Sequence, residues 1–229
     1  MTRAASTLPP SAQAAPADVL YARALRGDAV AVVGLHDDPQ PLPVRHWRAE
    51  ADRSDRRMLA HCHGPIVDLG CGPGRMAAHL ASRGIPVLGV DRHPEAVAQA
   101  RSRGVPVVRR DLFAPLPGEG SWACALLADG NVGIGGDPHR LLRRVRGLLA
   151  RGGTAVVDLA PPGVGVRRHQ VHLRGAGRVS RPFPWAVVGA DALPTLATAT
   201  GFAVAGLHEY DGRWVGVLRR TETEEPCPV

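Results

Sequence analysis

The middle of the chain alternates short apolar runs with longer segments in which apolar residues recur at helical spacing. The apolar runs predict strands at residues 65–69, 86–90, 106–109, 122–128 and 154–159. The amphipathic segments predict helices at residues 76–82, 94–103 and 138–150. Strands that alternate with helices pair in parallel and carry helices on both faces of the sheet. We therefore predict an α/β fold with a doubly wound, mostly parallel sheet.

Different patterns flank this alternating region. Before it, the sequence predicts a helix at residues 18–26, a hairpin or folded-over loop made by residues 29–35 and 42–47, and a polar helix at 49–62. After it, a helix at 190–200 precedes two strands at 201–209 and 214–219, with an Asp-Gly hairpin signal between them. Residues 163–181 are rich in arginine, histidine and glycine and predict a short antiparallel pair.

These patterns divide the chain into four parts. We expect a disordered tail at residues 1–17, a helical and hairpin cap at 18–63, a main domain at 64–220 and a C-terminal tail at 221–229.

The turn after the first strand of the main domain is rich in glycine and follows an acidic residue. It reads Asp68-Leu69-Gly70-Cys71-Gly72-Pro73-Gly74-Arg75. Glycine lets the backbone approach a ligand closely and take positive φ without a Cβ penalty. The next helix points the positive end of its dipole at this turn, and Asp68 places a carboxylate at the carboxyl end of the strand. The turn therefore predicts a ligand site, with a carboxylate suited to a cation.

The spacing of Asp68, Gly70, Gly72 and Gly74 resembles motif I of class I S-adenosylmethionine-dependent methyltransferases, which reads acidic-x-Gly-x-Gly-x-Gly. The resemblance extends over roughly residues 64–220. It implies a Rossmann-like sheet with an antiparallel terminal strand, and S-adenosyl-L-methionine as cofactor. A dinucleotide-binding turn needs a third glycine where this chain has Arg75, which argues against a nicotinamide-dependent oxidoreductase.

Acidic residues also end the next two strands. Asp91 comes about 20 residues after the first loop glycine, where a carboxylate can accept both hydroxyls of a ribose; the alternative is an N-cap for the following helix. The resemblance implies that Asp111 accepts a hydrogen bond from the adenine amino group while the backbone of Leu112 contacts the ring. The cofactor-binding residues that we predict are Asp68, Gly70, Cys71, Gly72, Gly74, Asp91, Arg92, Asp111, Leu112, Ala128 and Asp129.

The loop after the fourth strand is the place that the resemblance implies for methyl transfer. Asp129 and Asn131 are the catalytic candidates, to polarise or deprotonate an acceptor; alternatively Asp129 only caps a turn. Other conceivable bases, each also typical of a surface histidine, are His139, His169 and His172. The expected substrate walls, which are equally consistent with core packing, are Arg45, His46 and Trp47 in the cap and residues 182–185.

The charge of the chain bears on the acceptor. The formal net charge is +7, and every one of the 28 basic residues is arginine, which excludes lysine-based covalent catalysis. Such basicity is also typical of nucleic-acid binding. However, the arginines are scattered, aromatic residues make up only 4%, and the loop at Asp129 lacks the Asn/Asp-Pro-Pro-aromatic pattern. We expect a small-molecule acceptor rather than a nucleic acid.

Metal and membrane signals are weak. The four cysteines are scattered without a Cys-x-x-Cys pair, and His61-Cys62-His63 has no matching second half, so we predict reduced thiols and no metal site. No apolar stretch approaches the roughly 18 residues of a membrane span, and the N-terminus has no signal-peptide pattern. We expect a cytoplasmic protein without a membrane partner.

The sequence thus favours a methyltransferase that acts on a small molecule. Two alternatives stay open: an RNA methyltransferase, and a cofactor-binding protein without transferase activity. The motifs do not discriminate among O-, N- and C-methylation, nor do they show an oligomeric state.

Overall fold

The computed structural model describes residues 14–222, so most of both predicted tails and Cys227 lie outside the described residues. The described end of the N-terminal tail is folded. Ala15 forms a bridge with Ser180, and the first helix begins at Ala17.

Helices and strands alternate through the middle of the chain as predicted. The helices of the described residues are α1 Ala17–Leu25, α2 Val44–Trp47, α3 Arg53–Leu59, α4 Arg75–Ser82, α5 Pro94–Ser102, α6 Pro138–Leu148 and α7 Leu193–Ala199, with short 3-10 helices at Asn131–Gly133 and Ala190–Ala192. The strands are β1 Val30–Val33, β2 Gln40–Pro41, β3 Ile66–Leu69, β4 Val87–Asp91, β5 Val107–Arg109, β6 Trp122–Leu127, β7 Leu149–Leu159, β8 Val166–Gly175, β9 Arg178–Val179, β10 Phe183–Val188, β11 Phe202–Tyr210 and β12 Arg213–Arg220.

The main sheet confirms the predicted fold class. Its seven strands lie in the order β11-β12-β7-β6-β3-β4-β5. The five strands from β7 to β5 pair in parallel, whereas β12 pairs antiparallel with both β7 and β11. The carboxyl ends of β3, β4, β5 and β6 therefore meet at one edge of the sheet, which is where the predicted site residues lie.

Both faces of the main sheet are buried, as expected for a doubly wound fold. Adjacent residues of β6 point to opposite faces: Leu126 packs in one apolar cluster with Met58 and Leu80, and Leu127 packs in another with Leu141 and Leu148. The central strands consequently read as nearly continuous apolar runs.

A second sheet joins the cap to the arginine-rich segment. The antiparallel pair predicted within residues 163–181 is present as β8 and β9, but β8 also pairs with β1 of the cap, from Val30 opposite Gly175 to Val33 opposite His172, which was not predicted. The full sheet has the order β10-β8-β1-β2, with β9 beside β8. The pattern of each segment predicts strands without identifying a distant partner strand, which explains the difference.

Two predictions in the cap need correction. Residues 42–47 were expected to form part of a hairpin or a folded-over loop, but they contain the helix α2, which begins directly after Pro43. Proline has no N–H for a ladder and is tolerated at a helix start. The polar helix expected at 49–62 is shorter, because Asp52 and Asp55 form a capping box that fixes the start of α3.

Candidate active site

The glycine-rich turn has the predicted backbone geometry. Gly70, Gly72 and Gly74 all have positive φ, at +73°, +54° and +85°. The three glycines serve different purposes, however. A Cβ on Gly70 would lie 2.8 Å from Nδ2 of Asn131, and one on Gly74 would lie 3.0 Å from Cβ of Ala100, so these two positions require glycine for packing. A Cβ on Gly72, which is itself buried, would make only an ordinary van der Waals contact, 3.8 Å from the hydroxyl oxygen of Tyr21, so side-chain packing does not require glycine at this position.

Asp68 is the most deeply buried acid of the predicted set, at 1% exposure. Its Oδ2 has no hydrogen-bond partner among the described residues. Burial, followed by the nearby carboxylates of Asp129 and Asp91, raises the pKa of Asp68 to about 8, and a backbone hydrogen bond from Ala77 only partly opposes this rise. A buried carboxyl with an unpaired oxygen and acidic neighbours fits a cationic group of a ligand.

Asp91 fastens the turn to the end of β4. Its Oδ2 accepts the N–H of Gly72 at 3.0 Å, and its Oδ1 accepts the N–H of His93 at 2.7 Å. The N-cap of α5 is His93, not Asp91, so the cap alternative for Asp91 is wrong. Each oxygen retains a lone pair for a ribose hydroxyl, while burial raises the pKa of Asp91 above its usual range.

Three other predicted cofactor residues lie beside this edge. Asp111 is exposed after β5, and its Oδ1 accepts the N–H of Phe113 at 2.9 Å. Leu112 is buried in the core, and its carbonyl accepts Nε of Arg144 at 2.9 Å. Arg92 is exposed and pairs with Asp18 of α1 at 2.9 Å. The sheet thus brings acids from three consecutive strand ends to one edge.

A buried ionic network underlies the turn. Arg75, the first residue of α4, has a side chain that is 2% exposed and contacts Asp55 and Asp129. Arg213 of β12 lies 2.5 Å from Asp55, 2.8 Å from Asp158 and 3.5 Å from Asp129. Two arginines therefore pair with three aspartates, so the network has one formal negative charge in excess. The network connects the cap, the glycine-rich turn and three neighbouring strands of the main sheet.

The two catalytic candidates are both engaged in this arrangement. Asp129 has a left-handed backbone at φ +53°, and its N–H donates to Oδ2 of Asp158 at 2.9 Å. The amide of Asn131 donates to the carbonyls of Leu69 and Gly70, at 3.1 and 2.9 Å. Asn131 therefore stabilises the turn through these two hydrogen bonds. The side chain of Asp129 is 27% exposed, and its carboxylate is paired with Arg75.

Several site residues were not predicted from the sequence. They are Tyr21, Asp55, Asp158 and Arg213, and Arg75 was considered only as an argument against a nicotinamide cofactor. Asp158 has one sequence signal, a charged residue within an otherwise apolar run, whereas Asp55 lies in a helix that is mostly charged. The predicted histidine bases are dispersed: His169 and His172 bond backbone carbonyls in the second sheet, and His139 lies 4.0 Å from Asp137.

The residues predicted to line the substrate site do not form one cluster, because they contact different parts of the structure. The ring of Trp47 lies 6.2 Å from that of Tyr21. Trp185 of β10 forms a bridge with Ile134, directly after the Asp129 loop. Arg45 is exposed, away from any described ion pair, and His46 lies 4.0 Å from Asp52. The second sheet therefore contacts the loop after β6 through Trp185.

One group of side chains among residues 14–222 has the spacing of metal ligands: His46, Asp52 and Asp55. The oxygens of Asp55, however, accept hydrogen bonds from both arginines of the ionic network and from the N–H of Asp52. These donors compete with a cation for the carboxylate, so the donor set does not fit a metal ion.

Comparisons with known proteins agree with this geometry. Residues 66–153 match the model of a family described as "Methyltransferase domain". A trans-aconitate 2-methyltransferase of Paracidovorax citrulli (strain AAC00-1) is 28% identical over 174 residues, which are 72% of this chain and 65% of that protein. The corresponding protein of Variovorax paradoxus (strain S110) is 29% identical over the same shares. The chain thus spans just under two thirds of the length of these curated relatives.

Solved structures show the same fold. A SAM-dependent methyltransferase from Bacteroides fragilis, in complex with S-adenosyl-L-homocysteine, has a TM-score of 0.76 at 20% identity, covering 94% of this chain and 98% of that one. The sugar N-methyltransferase KedS8 from Streptoalloteichus sp ATCC 53650 has a TM-score of 0.56 at 21% identity and covers 97% and 99%. At these identities the likeness establishes the fold. Within the described part of the chain, no helix is both long and apolar enough to cross a membrane.

Proposed function

We propose, for this member of the class I S-adenosylmethionine-dependent methyltransferase family, the transfer of a methyl group from S-adenosyl-L-methionine to a small-molecule acceptor. One observation carries the proposal: Asp68, Asp91 and Asp111 end consecutive strands at the sheet edge that also holds Gly72, the turn glycine that side-chain packing does not require. A cation with a ribose and an adenine requires such a row of acceptors. The unpaired buried oxygen of Asp68 supports the fit independently.

The proposed cofactor contacts follow the strand ends. Asp68 would neutralise positive charge, Asp91 would accept the ribose hydroxyls, and Asp111 with Leu112 would contact the adenine. The remaining members of the proposed set belong to three segments: Gly70, Cys71, Gly72 and Gly74 to the turn, Arg92 to the segment after β4, and Ala128 and Asp129 to the loop after β6.

The bound cofactor supplies a methyl group on a positively charged sulfur, which an acceptor displaces in line. Such a reaction depends mainly on positioning and on exclusion of water. The chain offers rigid positioning: the amide of Asn131 fixes the turn, and Arg75 fixes Asp129. We propose that Asp129 and Asn131 orient the reacting groups, since each is held by buried partners.

A small acceptor is supported by two kinds of observation. The relatives and structural neighbours include proteins named for trans-aconitate, a sugar and 1,6-didemethyltoxoflavin, all of which are small molecules. Among the described residues, Arg75 and Arg213 are engaged in buried ion pairs, so these two guanidinium groups are not free to bind phosphates.

Methyl-labelled cofactor tests the proposal directly. The protein is incubated with it and with cell extract separated into RNA, DNA, protein and small-molecule fractions, and Gly72→Val serves as the inactive control. We expect label in the small-molecule fraction with the wild type and none with the variant. Label confined to RNA or DNA would overturn the acceptor class, and cofactor binding without label in any fraction would overturn the transferase activity.

A further inference from the structure

The side of Gly72 on which a Cβ would stand faces a residue of the cap. A Cβ on Gly72 would lie 3.8 Å from the hydroxyl oxygen of Tyr21, and no other described atom outside the immediate chain neighbours lies within 4 Å of it. Tyr21 belongs to α1, which is more than 40 residues before the turn and outside the matched residues 66–153. The cap thus places a phenol opposite the one turn glycine that side-chain packing does not require.

The position of Tyr21 is fixed by contacts between α1 and α5. The ring meets that of His93 edge-on, with the centroids 5.0 Å apart and an interplanar angle of 84°. Nε2 of His93 in turn bonds the carbonyl of Asp18 at 2.9 Å, and Nε2 of Gln99 donates to the carbonyl of Leu25 at 2.9 Å. Because both ends of α1 are tied to α5, the phenol is held over the turn.

The surroundings of Tyr21 keep its hydroxyl protonated. Burial and the neighbouring acids Asp91, Cys71 and Asp129 raise the pKa of Tyr21 above its ordinary value. The phenol is therefore a hydrogen-bond donor at neutral pH. It lies within electrostatic reach of both Asp91, the proposed ribose acceptor, and Asp129 at the proposed methyl-transfer end.

We propose that Tyr21 is a cofactor-contacting residue, whose hydroxyl bonds the part of the cofactor between the ribose and the methyl-bearing sulfur, so that α1 completes the site. This inference rests on the proposed function. It assigns part of the cofactor site to the cap, whereas the matched methyltransferase domain begins at residue 66.

The sequence makes Tyr21 easy to observe, because the chain contains two tyrosines. The second, Tyr210, bonds Nε2 of His61 through its hydroxyl at 2.8 Å and stacks near His208, and none of these residues belongs to the proposed site. Full-length protein labelled with 3-fluorotyrosine gives two ¹⁹F resonances, which Tyr21→Phe and Tyr210→Phe assign. S-adenosyl-L-homocysteine is the probe.

We expect the probe to shift the Tyr21 resonance and leave that of Tyr210 in place. In calorimetric titrations, Tyr21→Phe should bind the probe roughly 2- to 12-fold more weakly, because it loses one hydrogen bond. Tyr210→Phe should bind with the affinity of the wild type. Both variants are conservative, and melting curves verify that they fold. If both resonances shift, the affinity of Tyr21→Phe decides whether Tyr21 contacts the probe: weaker binding supports the contact, and wild-type affinity contradicts it.

Three results would overturn the inference while leaving the proposed function intact: binding with no shift at Tyr21, a shift at Tyr210 alone, or wild-type affinity in Tyr21→Phe. Absence of binding to the wild type would instead contradict the proposed function itself.

Discussion

Nη2 of Arg75 lies 2.7 Å from both carboxylate oxygens of Asp129, and so fastens the loop after β6 to the helix that follows the glycine-rich turn. The same guanidinium contacts Asp55 of the cap. Three segments that are distant in sequence are therefore positioned by one side chain. Removing one partner of a buried ion pair leaves an uncompensated charge, which is strongly destabilising.

Arg75→Met should lower the free energy of unfolding by about 3–5 kcal/mol, because Asp55 and Asp129 would depend on Arg213 alone. Urea denaturation measures the change. Arg83→Met is the matched control at the exposed end of the same helix, where we expect a change within about 0.5 kcal/mol. Equal stabilities of the two variants would show that the buried network contributes little.

Asp68 should make the stability of the ligand-free protein depend on pH. Its pKa is about 8 when folded, against 3.8 for an exposed aspartic acid. The folded state therefore holds this proton more tightly, and the contribution of Asp68 to stability falls as pH rises from about 4 to about 8. Asp68→Asn removes that loss, so its melting temperature should exceed that of the wild type by a margin that grows between pH 5.5 and pH 8. A margin that is the same at both pH values would contradict the shifted pKa.

The same substitution should weaken cofactor binding, because the amide cannot neutralise a cation. In the wild type we expect affinity to increase from pH 6 to pH 8 as the carboxyl ionises, and in Asp68→Asn this dependence should be absent. Calorimetric titration at several pH values distinguishes the two proteins, and Asp37→Asn in an exposed loop controls for charge.

Asp91→Ala should reduce cofactor affinity about 10- to 100-fold. The reason is the loss of charge-assisted hydrogen bonds, each worth about 1.5–3 kcal/mol, together with the loss of its contact to the N–H of Gly72. Asp37→Ala is the control for an aspartate that makes no described contact with the turn. Unchanged affinity of Asp91→Ala would remove this residue from the proposed site.

Asp129→Asn tests whether Asp129 acts as a base. Since Arg75 contacts both of its oxygens, we expect a lower kcat with an unchanged shape of the pH–rate profile, as for a positioning residue. In the wild type, a required base makes the rate rise with pH on the acidic side of the profile. If Asp129→Asn lost this rise, Asp129 would be shown to remove a proton from the acceptor.

Particular residues show which features the sequence could predict. Asp68, Asp91 and Asp111 were identifiable because each ends an apolar run, and parallel strands bring such ends to one edge. The order of strands and helices was also predictable, because apolar runs and amphipathic segments alternate along the chain. Local pattern could also assign the turn glycines, although only the structure separates Gly72 from the packing glycines Gly70 and Gly74.

Long-range contacts were not predictable in this way. Arg213 pairs with Asp55 across 158 positions of the chain, and Tyr21 reaches Gly72 from a helix in the cap. The pairing of β1 with β8 likewise depends on which strands the folded chain brings together. Hydrophobic periodicity reports the face that a residue presents, but not the partner that it meets.

The central claim is that the cofactor rests on Gly72, and calorimetric titration with S-adenosyl-L-methionine tests it most directly. Gly72→Val introduces a branched side chain at φ +54° on the side of the turn that faces Tyr21, whereas Gly84→Val introduces the same kind of backbone strain at φ +72° in a place with no neighbouring atoms within 4 Å. We expect the wild type and Gly84→Val to bind and Gly72→Val to lose binding while still melting cooperatively. Wild-type affinity in a folded Gly72→Val, or tighter binding of NADH than of S-adenosyl-L-methionine by the wild type, would contradict the account.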